Sequence, residues 1–153
     1  MEHNVILKTG DHSSLSEIKE LWEELNQLHF KKSPDFKNHY GAFTFEAREQ
    51  SLLATAARGK LFVVIAFLNE IKIGYCVSSV VDDVGEIDSI YIKPDYRNNH
   101  IGSILLESSL NLIKENCVKS IKIAVSVGNE EVFGFYAKYG FKPRLTILQT
   151  TDV

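Results

Sequence analysis

Three strand patterns that follow one another along the chain restrict its fold more than any other feature. Leu61–Leu68, Ile71–Val81 and Glu86–Lys93 are apolar and rich in β-branched residues, and the short polar pairs Asn69-Glu70 and Asp82-Asp83 separate them. Strand patterns that alternate with two-residue polar turns predict consecutive hairpins. The middle of the chain is therefore expected to form an antiparallel sheet.

A helix and a further strand follow this region. Pro94 ends the third pattern, and Ile121–Val127 predicts another strand after a helix whose apolar residues share one face: Ile101, Ile104, Leu105, Leu112 and Ile113. A strand, helix and strand in this order are typical of a parallel crossover. The sheet is therefore expected to be mixed, with helices on its faces.

The remaining segments predict further helices and two outer strands. The spacing of apolar residues predicts the following elements: a strand at Val5–Lys8, a helix from the capping run Asp11–Ser14 to Leu28, a loop at Phe30–Tyr40, a helix at Phe45–Arg58 that stops at Gly59, a helix from Asn129 to Tyr139, and a last strand at Phe141–Gln149. The order of elements therefore indicates an α/β protein.

Composition limits the class of protein. The chain has 153 residues, 44% of them hydrophobic, and a net charge of −3, which favours one globular domain over residues 1–153 and argues against a nucleic-acid binder. Its start lacks a signal-peptide pattern, and its longest apolar run is too short to span a membrane.

Cys76 and Cys117 are too few for a disulfide scaffold, so we expect a cytoplasmic protein. The five histidines lack metal-ligand spacing, so no metal is expected.

The segment between the third strand and the next helix carries the strongest chemical signal. It runs IYIKPDYRNNHIGSILL, with a polar loop after Pro94 and a helix from about Ile101. The first turn of a helix has unpaired amide groups and a partial positive charge. Arg97 and His100 add donors, and Gly102 lets a ligand approach the main chain. These features favour a phosphate or pyrophosphate site, with an ordinary capped helix as the alternative.

The same segment resembles the acetyl-CoA-binding motif of the GNAT superfamily of N-acetyltransferases, Q/R-x-x-G-x-G/A. Arg97 matches its first position and Gly102 its last, while His100 stands where the family usually has its first glycine. The later run FYAKYGFKPR resembles the C-terminal signature of the family. The resemblance covers about Ile87 to Arg144 and implies an acetyl-CoA-dependent N-acetyltransferase. It also implies a GNAT-like fold with a central mixed, mostly antiparallel sheet of six to seven strands flanked by four helices.

The resemblance further implies where acetyl-CoA binds. Its pantetheine arm would lie along Glu86–Lys93, on the side facing Ile121–Val127, and its pyrophosphate would lie on the amides that follow Arg97. The residues so implied are Ile90, Tyr91, Ile92, Arg97, Asn98, Asn99, His100, Ile101, Gly102, Ser103, Asn129 and Tyr136. Asn129 is equally explained as a helix N-cap.

Acetyl transfer to an amine requires a base and an acid. Glu86 and Asp88 are two residues apart on one strand, so both carboxylates are expected on the same face. Either would serve as the base, directly or through water, and an ion-pair or capping role is the alternative. The resemblance makes Tyr136 the proton donor to the CoA thiolate, with aromatic packing as the alternative.

The family resemblance places the acceptor pocket in the first two helices and their loop, where we expect Trp22, Asn26, His29 and Phe36 to contact substrate. Aromatic rings with carboxylates attract cationic amines, which favours the primary amine of a small molecule. The alternatives are an amine of a protein or peptide, or a CoA-binding regulatory module without turnover. Trp22 is equally explained as a core residue. The alternating run RLTILQT is compatible with a homodimer.

Overall fold

The computed structural model describes residues 4–97 and 99–151. Within them the chain divides into two compact units. The first unit contains residues 4–25 and 44–124, and the second contains residues 26–43 and 125–151. Helix α1 (Lys19–Lys32) begins in the first unit and ends in the second. In the described part of the chain, no helix is both long and apolar enough to cross a membrane.

The first unit is built on a five-stranded sheet. Its strands lie in the order of the chain: β1 (Val5–Gly10), β2 (Lys60–Leu68), β3 (Ile71–Val81), β4 (Val84–Ile92) and β5 (Ser120–Ile123). The first three pairings are antiparallel and the last is parallel. Asn69, Glu70 and Asp82 have positive φ in the two hairpin turns, as tight turns that match the strand twist require. The predicted mixed, mostly antiparallel sheet is confirmed.

Helix α4 (Ile101–Lys114) connects β4 to the parallel strand β5, as the sequence predicts. The helix buries one apolar face, which includes Leu105, Leu106 and Ile113. Gly85 of β4 makes this packing close, because a Cβ atom there would lie 2.3 Å from Cγ2 of Ile113. The crossover therefore fixes where β4 ends and α4 begins.

Two further helical segments of the first unit begin at side-chain caps. The carboxylate of Asp11 accepts a hydrogen bond from the Ser13 amide before a short 3-10 segment at His12–Ile18. Thr44 caps α3 (Phe45–Arg58), and its hydroxyl accepts from the Ala47 amide. These caps satisfy amides that the first turn of a helix leaves unpaired. Both helix starts and the end of α3 at Gly59 agree with the sequence-based expectation.

The second unit differs more from that expectation. The predicted loop Phe30–Tyr40 contains the start of a short helix, α2 (Lys37–Ala42), which raises the number of α-helices to five in the described residues. Pro34 breaks the helix before it but leaves the six following residues free to form another. The predicted helix from Asn129 to Tyr139 is shorter, a 3-10 turn at Glu130–Val132 followed by α5 (Phe133–Ala137).

The expectation of six to seven strands is wrong for the described residues, which contain five. The predicted last strand Phe141–Gln149 is not a strand, and β5 ends at Ile123 rather than Val127. Alternating apolar residues show only that a segment suits a sheet, whereas a strand also needs a partner for its main-chain groups. Pro143 also lacks an amide donor.

Candidate active site

The C-terminal half of β4 forms an open sheet edge. The pairing of β4 with β5 runs from Val84 with Ser120 to Ile87 with Ile123 and stops there. Beyond it, residues 89–92 pair with β3 alone. Burial alternates along this half, with Ser89 and Tyr91 buried and Asp88, Ile90 and Ile92 partly exposed. An open edge of this kind presents main-chain groups that an extended ligand can pair with.

Asp88 is the first residue of this open edge, and its carboxyl group is unusual. Its Oδ2 atom is buried and has no hydrogen-bond partner among the described residues. Burial and, to a smaller extent, the neighbouring charge of Glu86 raise the pKa of Asp88 to about 6, against the opposing effects of Ser79, Arg48 and Lys122. A carboxyl group with this pKa is mostly ionised at neutral pH and still accepts a proton readily.

Glu86 lies in a different environment. Its carboxylate is 3.8 Å from Nζ of Lys122 on β5, and its side chain is one-third exposed. Glu86 and Asp88 are both partly exposed and close enough for their charges to interact, in agreement with the common face that their spacing predicts. Of the two carboxylates, Asp88 therefore has the buried, unpartnered oxygen and Glu86 has the basic neighbour.

The loop after β4 holds Arg97 in a defined position. Its Nε atom donates a hydrogen bond to the main-chain oxygen of Ile92 at 3.0 Å, and its guanidinium lies 5.4 Å from the centre of the Tyr91 ring. The hydroxyl of Tyr91 donates to Glu24, which also pairs with Lys93 at 3.2 Å. Arg97 itself is exposed. Its side chain therefore lies at the surface beside the end of β4.

The backbone conformation at the start of α4 explains why the motif described above usually has a glycine at the position of His100. His100 is the N-cap residue and adopts a left-handed conformation with φ of 61°, which glycine adopts at less cost than other residues. Its side chain is exposed and makes no capping hydrogen bond. Ile101 is buried in the core, so only its main chain is available to a ligand. Asn99, Gly102 and Ser103 lie beside it, whereas Asn98 lies outside the described residues.

Tyr136 and Asn129 lie in the second unit. Tyr136 is buried, and its ring is 5.3 Å from that of Phe135 and 6.0 Å from that of Phe141. The side chain of Asn129 does not cap the following turn. Its Oδ1 atom instead accepts a hydrogen bond from Lys32, and the carboxylate of Glu130 accepts from the Gly128 amide. The expectation that Asn129 is a capping side chain is therefore wrong.

Gly134 also departs from its sequence-based interpretation. We expect close packing to require a glycine inside this helix, yet within the described residues a Cβ atom at Gly134 would meet nothing within 4 Å. Space does not explain the glycine, and nothing else in the structure does.

The predicted acceptor residues fall into different settings. Trp22 is 4% exposed and packs edge-on against Phe45 in the first unit. The amide group of Asn26 donates to the main-chain oxygens of Tyr40 and Phe43. These contacts give Trp22 a packing role and give Asn26 the role of holding α2.

His29 and Phe36 are half-buried in the second unit. Nδ1 of His29 is buried and has no partner in the described part of the chain, and burial lowers the pKa of this histidine. Its ring lies 5.4 Å from that of Tyr40, whose hydroxyl is 2.7 Å from Oγ of Ser126. Phe36 begins α2, and its amide donates to Ser33. Sequence reasoning did not find the contact between Tyr40 and Ser126, because 86 residues separate them in the chain.

Comparison with solved structures shows that the sheet and the helices of this chain have the fold of N-acetyltransferases. The chain superposes with a TM-score of 0.73 on a PaiA N-acetyltransferase from Thermoplasma acidophilum in complex with coenzyme A, at 20% identity over 94% of this chain and 93% of that one. It superposes with a TM-score of 0.70 on the aminoglycoside N-acetyltransferase AAC(6')-Iy in complex with CoA, at 13% identity over 99% of this chain and 97% of that one. At these identities the likeness shows the fold.

The profile of the acetyltransferase (GNAT) family matches residues 19–141, and the chain belongs to that family. Over 70 residues, 46% of each chain, it is 37% identical to a Bacillus subtilis protein named provisionally as a ribosomal protein bS18-alanine N-acetyltransferase. Over 77 residues, 50% of this chain and 48% of the relative, it is 30% identical to spermidine N(1)-acetyltransferase from Thermoplasma acidophilum. The chain spans about half the length of the curated relatives it matches.

Proposed function

We propose that this protein transfers the acetyl group of acetyl-CoA to a primary amine, with Asp88 as the base. The observation that carries the proposal is the position of Asp88 at the open edge of β4, with a buried oxygen that no described residue binds and a pKa of about 6. Membership of the GNAT family supports the reaction class. We also propose that the two units act together as one acetyltransferase domain in a reducing cytoplasm, where free thiols such as Cys76 and Cys117 persist.

The residues around the start of α4 suit the phosphates of CoA. The amides of the first helical turn, at Ile101, Gly102 and Ser103, donate to anions, and Arg97 is already held beside them by the main chain of Ile92. His100 leaves this approach open, because its side chain is exposed. The main chain of Ile90–Ile92 would pair with the pantetheine arm. When bound, acetyl-CoA supplies an activated thioester whose thiolate leaves.

The acceptor amine must lose a proton before it attacks. An alkylammonium group has a pKa of about 10.4, so at neutral pH it arrives protonated. Asp88 would accept this proton on its unpartnered Oδ2 atom. Glu86 is the second candidate, and its carboxylate is paired with Lys122 at 3.8 Å instead of having an unpartnered oxygen. We therefore assign the base role to Asp88 and an electrostatic role to Glu86.

The departing thiolate needs a proton donor, and we assign this role to Tyr136. Its phenol carries a proton at neutral pH, and the buried position of its ring holds the side chain in one place. Asn129 would contribute to binding of the pantetheine arm. Both assignments follow from the family pattern in the C-terminal segment.

The acceptor we propose is a small-molecule amine. The relatives differ in this respect: one is named for spermidine, and another, from Escherichia coli, is named as a peptidyl-lysine N-acetyltransferase. The rings of His29 and Tyr40 lie 5.4 Å apart in the second unit, and Phe36 is the N-cap residue of α2; aromatic side chains suit cationic amines. The excess of acidic residues in the chain also favours a basic acceptor.

A thiol-release assay with acetyl-CoA and a panel of amines tests this function. The panel should contain polyamines, amino acids, aminoglycosides, and peptides with a free lysine or N-terminus. We expect amine-dependent thiol release and one acetyl group added to the acceptor by mass spectrometry. Thermal stabilisation by CoA without thiol release for any amine would contradict the enzyme and support a CoA-binding module.

We also propose that two copies associate through the C-terminal segment. Leu145, Ile147 and Leu148 are 70%, 78% and 90% exposed, and residues 141–150 form neither helix nor strand. An extended segment with exposed apolar side chains suits addition to a sheet edge of a second copy. Sedimentation of the protein should give a dimer, and the double change Leu145→Asp and Ile147→Asp should give a monomer. A monomeric parent protein would refute the proposal.

A further inference from the structure

Strand β4 contains an irregularity at Asp88 that the sequence does not reveal. In the pairing with β3, Ser89 lies opposite Val77 and Ile87 lies opposite Ser78, so Asp88 has no opposite residue. This arrangement is a β-bulge, which disrupts the ladder and leaves main-chain groups without strand partners. The bulge and the end of the β5 pairing therefore coincide at one residue.

Arg48 of α3 binds the main chain at this bulge. Its Nη2 atom donates a 2.7 Å hydrogen bond to the main-chain oxygen of Asp88. Its Nη1 atom lies 3.3 Å from Oγ of Ser51, one helical turn further along α3. A buried carbonyl without a partner is unfavourable, and a hydrogen bond from a charged donor is stronger than one from a neutral donor. Arg48 thus supplies a hydrogen bond to the Asp88 carbonyl at the point where the ladder with β3 is interrupted.

We propose that Arg48 is a positioning residue for acetyl transfer: by holding the main chain of Asp88 at the bulge, it fixes the carboxyl group at the open edge of β4. This inference rests on the proposed function, because it takes Asp88 as the base. Arg48 does not need to contact either substrate. Its contribution is to keep the carboxyl group in the geometry that proton transfer requires, where displacements of about 1 Å are costly.

Arg48 also acts through its charge. The groups that influence the Asp88 carboxyl come from three other elements as well as its own: Arg48 on α3, Ser79 on β3, Lys122 on β5 and Glu86 on β4. Arg48 and Lys122 lower the pKa of Asp88, whereas burial and Glu86 raise it. Removal of the Arg48 charge should therefore raise this pKa above its present value, about 6.

The experiment compares Arg48→Met, which keeps most of the side-chain volume, with Arg48→Lys, which keeps the charge. Arg58, exposed in the last turn of the same helix, provides the matched control Arg58→Met. We expect Arg48→Met to lower kcat at least tenfold, to change the KM for acetyl-CoA less than twofold, and to move the lower pH midpoint of kcat upward. Arg48→Lys should return the midpoint toward that of the parent protein. Arg58→Met should change none of these quantities.

A purely structural role gives a different result. Arg48→Met would then lower the unfolding temperature but leave kcat and the pH midpoint at the parent values, and this outcome overturns the proposal. A second readout is independent of turnover: carbon NMR of the Asp88 carboxyl group, assigned with Asp88→Asn. A pKa that rises in Arg48→Met supports the contact, and an unchanged pKa rejects it. A parent protein inactive on every amine would contradict the proposed function, while the NMR result would still decide the contact.

Discussion

Ile87 and Ile123 form the last register pair between β4 and β5, and Asp88 is the first residue of β4 beyond it. The carboxyl group proposed as the base thus stands where the sheet begins to expose the edge of β4. Asp88 is thus the first residue beyond a strand pairing, lies at a bulge in the opposite ladder and carries a buried oxygen without a hydrogen-bond partner among the described residues.

The pKa of Asp88 predicts how stability depends on pH. Between about pH 4 and pH 6 the native protein retains a proton on Asp88 that the unfolded chain releases, because the native pKa is about 6 and the ordinary value is 3.8. The contribution of Asp88 to the free energy of unfolding therefore falls as pH rises through this range. Asp88→Asn lacks this proton equilibrium, so relative to the parent it should gain about 1–3 kcal/mol between pH 4 and pH 7.5.

Urea unfolding at the two pH values measures this difference. Asp95→Asn, at an exposed position before α4, is the matched control and should show a much smaller change. The same stability difference between Asp88→Asn and the parent at both pH values would show that the carboxyl group is not perturbed by folding.

Tyr136 should affect turnover more than cofactor binding. Tyr136→Phe removes the proposed proton donor but keeps the ring and its packing, so kcat should fall by about tenfold to a hundredfold. The dissociation constant of CoA should change only a few-fold. Tyr139→Phe is the control, since Tyr139 contacts the same Phe135 ring. Unchanged turnover of Tyr136→Phe across the pH range would rule out the acid role.

The left-handed conformation of His100 should appear in stability measurements. His100→Gly and His100→Ala both remove the imidazole, but alanine keeps the steric cost of a positive φ. We expect the glycine variant to be more stable than the alanine variant by about 1 kcal/mol, by denaturant unfolding. The glycine variant should bind CoA at least as tightly as the parent, by calorimetry. Equal stability of the two variants would indicate that the conformation at residue 100 is not strained.

Gly134 should tolerate a larger residue. Gly134→Ala should raise the free energy of unfolding by up to about 1 kcal/mol, because alanine favours a helix and its Cβ meets no described atom within 4 Å. Gly85→Ala is the opposite control, since its Cβ would lie 2.3 Å from Ile113 and should destabilise the protein. A destabilised Gly134→Ala variant would mean that this position is packed against another part of the molecule.

Much of the first unit is predictable from sequence because its signals are local. The turns at Asn69–Glu70 and Asp82–Asp83, the caps of α3 and the apolar face of α4 each lie within a few residues of the element they define. The bulge at Asp88 was not predictable, because the alternation of burial continues through it and only the register with β3 reveals it. Arg48 was missed for the same reason, since 40 residues separate it from Asp88.

The C-terminal segment shows that a clear strand pattern does not always form a strand. The run from Phe141 to Gln149 has the apolar alternation of a strand, yet the structure gives it no strand partner within the described residues. Pattern alone reports what a segment can form, and pairing depends on the neighbours that it meets. The role of Tyr136 came from the family resemblance and those of Glu86 and Asp88 from their spacing on one strand, and these assignments stay predictions.

The pH dependence of acetyl transfer in Asp88→Asn tests the central claim most directly. With an acceptor amine that titrates well above this range, activity of the parent protein should rise through about pH 6 and then level off, since the base acts in its ionised form. Asp88→Asn should lose about a hundredfold to ten-thousandfold in kcat and lose this rise, while Glu86→Gln keeps it. An Asp88→Asn variant with parent activity and the same rise near pH 6 would contradict the account.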